Sequence, residues 1–528
     1  MKKILQTICL CSIAVICLSG CTKFLDTKPI DTLTPSIYYN TEEQLNTALI
    51  GVYDILTQEI VYGSGIWMSF GACTDESWYA RSSLTSGMPV YNLDYSNPDV
   101  RNFWRALYNG IERANILIDN INKPAMDSVR RSTILGQALF LRGYYHFLLV
   151  SNFGDVPLKI SPTASVNNTS IPRTPAVTVY GQILIDMQEA EKRVQTITAS
   201  GTSSRISKTT VQGILARVCL YMAGYPLKDQ SKYAEALSWA KKVQASGEHD
   251  LRNTFDATLT TNAYSQIFIN HARNIYDTKE CMWEADFFGN FTDVYREAGR
   301  VGNVNGIAFS GSNSPEVGYS YGFTNATAKL YNLYQPGDTR RDWAIAPYYY
   351  NGNTLTNWAA TASVYNRNVG KWRRSFELPA SGGKNQNYTP QNFPILRYAD
   401  VLLMLAEAEN EVNGPSTIAV NALNQVRVRA GATPITIFNG SLGFREIIQD
   451  ERARELCFEG LRRPDLIRWG NFIPVMKNLA AQFAADNAGT SLVYGVLGYN
   501  NVSDRHLLFP IPAAEISVNR AMTQNPGW

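Results

Sequence analysis

The sequence predicts a mainly α-helical fold, built from paired helices around a loop-rich middle. Three observations carry this. Apolar residues recur at helical spacing in long blocks before Asp250 and again after Leu396. Residues 251–390 between them are instead rich in Gly, Asn, Ser, Thr and Tyr, with few helical stripes. Small residues in some of the helical blocks also fall where a helix packs closely on a partner. They include Ala234, Ala236 and Ala240, then Ala406, Ala408, Ala419 and Ala422. These two groups resemble degenerate tetratricopeptide repeats, helix pairs that stack into an α-α superhelix.

The elements follow in order. Lys2 and Lys3 precede a mostly apolar run from Ile4 to Leu18, shorter than the ~20 residues that span a bilayer. Residues 1–20 therefore read as an export signal. Its end, Leu18-Ser19-Gly20-Cys21, resembles a bacterial lipobox, with Cys21 as the lipidated residue. Several acyl chains on one cysteine would hold a soluble body at a membrane. Residues 21–40 read as an extended tether. From residue 41 to 528 the chain reads as one domain in three parts, 41–250, 251–390 and 391–528. Thr41 followed by Glu42 and Glu43 marks its first helix. Further helices are expected over 102–121, 132–153, 178–194, 208–222, 232–245, 396–412, 417–429 and 442–459.

Composition limits the function. The 48 Lys+Arg against 45 Asp+Glu give a net charge of +3, which offers no electrostatic footing for nucleic acid. Aromatic residues reach 11% while charged residues are only 18%, so Tyr and Trp are expected at the surface as well as in the core. Only four His occur, with no zinc-pair spacing, and no nucleophile elbow, phosphate loop or dinucleotide fingerprint is present. No cofactor is expected. A calcium ion held by loop carboxylates and carbonyls is compatible with the composition, though no EF-hand loop is present. Cys73, Cys219, Cys281 and Cys457 match no metal or redox motif. Export would permit a Cys73–Cys281 disulfide, which the sequence neither requires nor forbids.

Several motifs then occur in a telling order. Cys21-Thr22-Lys23-Phe24-Leu25-Asp26 follows the signal, and Asp75-Glu76 lies in the first long loop. Arg142-Gly143-Tyr144-Tyr145 runs on to Phe153-Gly154-Asp155-Val156-Pro157. Glu451-Arg452-Ala453-Arg454-Glu455-Leu456-Cys457-Phe458-Glu459-Gly460 leads into Leu461-Arg462-Arg463-Pro464-Asp465, and the chain ends Asn525-Pro526-Gly527-Trp528. In this order the chain resembles the SusD/RagB family of Bacteroidetes outer-membrane lipoproteins. The resemblance implies a surface-exposed protein, lipid-anchored in the outer membrane. Such a protein captures an oligosaccharide and passes it to a SusC-like TonB-dependent transporter, with no catalysis of its own. The fold implied is the SusD-like one, with repeat-like helix pairs as scaffold and a loop-rich half carrying the ligand site.

The Arg/Glu-rich block at 451–469 reads as an architectural ion network, and Gly143 as a close helix contact. The ligand argument rests on loop aromatics, because sugars offer flat C–H faces to rings and hydroxyls to amide, Arg and carboxylate groups. The expected ligand-binding residues are Asp75, Trp78, Tyr79, Arg81, Trp283, Tyr295, Tyr319 and Tyr321, with Trp358 and Trp372 as further candidates. A peptide-capturing lid, as in the RagB branch, is the first alternative. A surface glycoside hydrolase is the second, with its carboxylate pair drawn from Asp75, Glu76, Glu284 and Asp286. A protein-binding helical scaffold is the third.

Overall fold

A computed structural model of the chain describes residues 38–165, 167, 170–288, 297–311, 316–378 and 383–528. The signal segment, Cys21, nearly all of the tether and Tyr295 lie outside the described residues.

Helix α1 (Glu42–Tyr53) opens on a reciprocal cap, in which Gln44 N donates to the Thr41 hydroxyl and Gln44 Oε1 accepts from Thr41 N. Helices α2 (Pro98–Asn120), α3 (Ser128–Phe153), α4 (Ala176–Glu191), α5 (Lys208–Ala223) and α6 (Lys232–Ala245) then pack on one another in succession. The middle of the chain adds α7 (Ala263–Ala272). Helix α8 (Tyr398–Asn413) continues the stack by lying on α6, and α9 (Thr417–Arg429) and α10 (Gly440–Leu456) pack against α8. Short α11 (Arg462–Arg468) and then α12 (Phe472–Asp486) follow.

The stack explains which helices are apolar all round. Helices α3, α5 and α8 have neighbours on both sides and are buried over most of their surface, whereas α2 keeps one apolar stripe through Phe103, Leu107, Ile111 and Ala114. A Cβ on Gly143 would meet Asp186 Cβ and Met187 Cγ at 3.4 Å, so α3 and α4 run close together there. The polar side chains inside the stack are paired. Arg142 of α3 holds Asp186 of α4 through two 2.7 Å bonds, and Arg217 of α5 holds Asp400 of α8 at 2.6 Å. Ala236, Ala240, Ala406, Ala408, Ala419 and Ala422 are buried between helices, whereas Ala234, expected with them, lies exposed on the outer face of α6. The architecture is thus a mainly helical superhelix of repeat-like pairs.

The middle region is more ordered than its composition suggests. Strand β1 (Ser77–Tyr79) and β2 (Cys281–Ala285) are followed by β3 (Thr324–Ala326), β4 (Tyr348–Asn351), β5 (Thr354–Asn357) and β6 (Phe393–Arg397). They form three two-stranded antiparallel ribbons, β1–β3, β2–β6 and β4–β5. β2 and β6 are wholly buried, and β6 runs directly into α8. The β1–β3 ribbon pairs Ser77 with Ala326, Trp78 with Asn325 and Tyr79 with Thr324. It rests on a second, smaller core made by Trp78, Tyr91, Tyr365, Phe472, Phe483 and Tyr499. Cys73, Cys219, Cys281 and Cys457 are buried and free, so the Cys73–Cys281 bridge is not made.

Candidate functional site

The β1–β3 ribbon brings the segment carrying Tyr79 and Arg81 beside the segment that leads from Tyr319 and Tyr321 into β3. Successive residues of a strand point to opposite faces. Trp78 and Ala80 therefore point inward, while Tyr79 and Arg81 stand half-buried at the surface. Ala80 N donates to Phe323 O at 2.7 Å, which extends the ribbon to the segment 319–323. That segment alternates too, with Ser320 and Gly322 buried and Tyr319, Tyr321 and Phe323 half-exposed. Gly322 has φ +55°, and a Cβ there would meet Ala308 at 2.8 Å, so no larger residue fits.

The segment is held from beneath. Tyr321 N donates to Asn303 O at 2.7 Å, Phe323 N to Val304 O at 2.8 Å and Arg374 Nη1 to Tyr319 O at 2.5 Å. Arg374 is itself buried against Glu377, with contacts of 3.1 Å.

The result is a strip of rings. Tyr319 meets Tyr321 edge-on at 4.9 Å, and Tyr321 stacks on Phe323 at 4.9 Å with planes 17° apart. Phe323 lies 5.7 Å from Tyr79. The Arg81 guanidinium sits 5.1 Å over the Phe323 ring and donates to Ala80 O and Tyr321 O. Arg81 has no carboxylate partner among the described residues. Burial raises the hydroxyls of Tyr79 and Tyr494, and the Arg81 charge beside them works the other way. Tyr494 also covers Trp78 at 5.6 Å. A second aromatic group adjoins through Phe309, whose backbone pairs with Ser320 and whose ring meets Tyr350 of β4 at 5.1 Å. There Tyr349 lies 4.4 Å from Trp358.

Such a strip offers ring faces to the C–H faces of a sugar, and phenol and guanidinium donors to its hydroxyls. A cavity of about 420 Å³ elsewhere, between the ends of α3 and α5 and the C-terminal segment, is less suited. Much of its lining is apolar, and of its three arginines Arg463 donates to His506 O, Arg468 to Glu407, and Arg505 lies over the Trp528 ring at 4.6 Å.

Tyr79, Arg81, Tyr319 and Tyr321 are thus brought together. Asp75, Trp78 and Trp283 are not on the surface, and the expectation that they touch ligand is corrected. Asp75 is 2% exposed and bound by Arg462 at 2.7 and 2.8 Å and by Lys329 at 2.8 Å. Burial would raise its carboxyl, but Arg462 and Lys329 outweigh that and hold it well below the usual carboxylate range. Trp78 is fully buried because it occupies the inward position of β1, edge-on to Phe483 at 5.1 Å. Trp283 is fully buried because β2 is covered on both faces, and it packs on Tyr144 and Phe140 of α3 at 4.7 and 5.3 Å. Trp372 is buried as well, stacked on Phe393. The sequence reading missed Phe323 and Tyr494. The alternation Tyr319, Tyr321, Phe323 was the available signal for the first.

The Arg/Glu-rich block does form a buried ion network. Glu455 of α10 takes Arg397 at 2.8 Å, Arg340 at 3.0 Å and Arg429 at 2.5 Å. Glu451 takes Arg427, Arg340 and Arg454 at 2.6 to 2.9 Å, and Glu459 takes Arg397 and Lys371 at 2.7 Å. Burial pushes the Glu451 carboxyl up, but Arg340, Arg454 and Arg427 prevail and bring it down to about 2.

Comparison with known proteins adds to this geometry. The SusD family profile matches residues 279–528, and a profile described as "Starch-binding associating with outer membrane" matches residues 23–220. The chain is 26% identical over 549 residues to SusD-like protein P2 of Formosa agariphila, covering 98% of each chain. It shares 31% identity over 163 residues, 30% of this chain and 26% of the other, with the starch-binding protein SusD of Bacteroides thetaiotaomicron. A SusD homolog crystal structure from B. thetaiotaomicron superposes with a TM-score of 0.84 at 28% identity, over 94% of this chain and 98% of that one. Surface glycan-binding protein A from B. thetaiotaomicron, solved with laminarihexaose, shares the fold with a TM-score of 0.69 at 19% identity, over 92% of this chain and all of that one. With both halves matched, the repeat-like superhelix in place and full-length relatives at hand, the chain belongs to the SusD/RagB family.

Proposed function

We propose that this protein captures oligosaccharide at the cell surface and delivers it, unmodified, to a SusC-like TonB-dependent transporter of the outer membrane. Lipid on Cys21 would anchor it there. The strip of Tyr79, Arg81, Tyr319, Tyr321 and Phe323 carries this reading. It is a set of rings supported from beneath, beside a guanidinium with no carboxylate partner among the described residues, and its face is open. Names among the relatives point the same way, since they include starch- and laminarin-binding proteins. A capture site of this kind binds through two or three ring contacts, each worth ~0.5–1.5 kcal/mol, and so releases its cargo readily. Of the four carboxylates weighed for a hydrolase, Asp75 is committed to Arg462 and Lys329 and Glu76, buried, to Phe458 N at 3.2 Å, while Glu284 and Asp286 line a separate cavity whose walls include none of the strip residues.

The test is calorimetric titration of residues 22–528 with starch-type, laminarin-type and other oligosaccharides, with peptides included. Saturable binding to one glycan class, weakened about 3–10-fold in Tyr321→Ala and without new reducing ends, supports the proposal. Saturable peptide binding with no glycan binding would replace it with the peptide-lid reading.

A further inference from the structure

A second chemistry lies away from the strip, where β2 meets the end of α7. His271, Cys281 and Glu284 are all buried and place one donor atom each within 4.8 Å of the others. His271 Nδ1 lies 3.0 Å from Glu284 Oε2, and Cys281 Sγ lies 3.1 Å from the same oxygen. Neither ring nitrogen of His271 makes a well-aligned hydrogen bond among the described residues, although the side chain is only 3% exposed. An imidazole so placed should have partners for both nitrogens.

From this we infer that His271, Cys281 and Glu284 bind a zinc-class divalent cation. Nitrogen, thiolate and carboxylate together are a zinc-type donor set, and bonds of ~2.0–2.3 Å in a tetrahedron put ligand atoms roughly 3.3–3.7 Å apart. The two separations to Glu284, 3.0 and 3.1 Å, fall just short of that range, and the third lies within 4.8 Å. A supporting shell is present, because Asn392 Nδ2 donates to the other Glu284 oxygen at 3.2 Å and Asn392 N donates to His271 O at 3.2 Å. Glu284 also lines a cavity of about 320 Å³ shared with Asp286, Arg205 and Tyr53, from which water would complete the tetrahedron. Binding would exchange the Cys281 thiol proton for the ion, the S–H bond giving way to S–metal with H⁺ released to solvent. The ion would pin α7 to the β2–β6 ribbon. This holds whether or not the strip binds glycan.

The untagged 22–528 chain, stripped of metal and refilled, tests it. Cobalt(II) titration should give one equivalent with a thiolate-to-cobalt charge-transfer band. That band should be absent in Cys281→Ser, and Asn392→Ala should weaken zinc binding by ~10–100-fold. Zinc-edge X-ray absorption on wild-type protein should show one sulfur at ~2.3 Å with lighter ligands at ~2.0–2.2 Å. That reading does not depend on a variant folding. A folded wild-type chain that takes up no stoichiometric ion overturns the inference. So does an ion with only nitrogen and oxygen neighbours, or a cobalt band that persists in folded Cys281→Ser.

Discussion

Around Glu455 this protein keeps arginines and carboxylates out of water, while around Phe323 it leaves a run of rings partly in it. Both regions are rich in the residues that usually mark active sites. They differ in whether those groups are satisfied. Each charge near Glu455 meets a counter-charge within about 3 Å, so the cluster has nothing left to offer a ligand. The rings at Tyr79, Tyr319 and Tyr321 are fixed in place by backbone bonds and still have uncovered faces. Unspent capacity held in a rigid setting, more than residue type, distinguishes a site from a scaffold.

Breaking the charged region should have the larger effect. Glu455→Gln leaves Arg397, Arg429 and Arg340 crowded without their shared carboxylate and should cost ~3–5 kcal/mol. Chemical unfolding with a midpoint equal to wild type would refute the architectural role. Trp78→Ala should cost a similar ~3–5 kcal/mol by opening the smaller core. Its neighbour Tyr79→Ala should shift stability by no more than about 0.5 kcal/mol and act on ligand binding instead. Equal melting temperatures for this pair would contradict the inward and outward assignment.

Acid should separate the regions without mutation. Glu451 is held near about 2 in the folded chain, so its contribution is complete above the ordinary carboxyl value of 4.5 and is lost as pH falls toward 2. Unfolding followed from pH 6 to 3 should show stability falling on the acid side. Glu76 works in the opposite sense. Burial lifts its carboxyl to about 8, so the folded state holds that proton and loses stability as pH rises from 4.5 through 8. Glu76→Gln should flatten that alkaline decline, which thermal melts at pH 6 and 8.5 would reveal. Phe323→Ala and Tyr321→Ala should each weaken glycan binding about 3–10-fold by calorimetry, corresponding to ~0.5–1.5 kcal/mol, with melting temperatures little changed.

Most helices were legible because long apolar stripes at a 3.6-residue period leave little choice, while α7, α11 and α12 were not expected. The expected 417–429 and 232–245 helices match the observed bounds, and the other expected helices start or end within a few residues of theirs. The strands were not legible. β1 and β3 have three residues each, and the fully buried β2 has no polar alternation to show. The site was legible in part, since loop aromatics and an arginine are the right materials and Tyr79, Arg81, Tyr319 and Tyr321 converge. Size misled at Trp78 and Trp283, because the largest rings bury the most apolar surface and are favoured inside. Asp75 was unreadable for another reason, as its partner Arg462 lies 387 residues away.

The β1–β3 ribbon has a consequence for design and divergence. Its ladder is made by backbone atoms, and the side chains that would meet a ligand occupy only the outward positions 79, 81, 319, 321 and 323. Those five can be exchanged while Trp78, Ser320 and Gly322 keep the frame. The ribbon is therefore an interchangeable cassette, on which a new cargo preference can be written without redrawing the scaffold beneath.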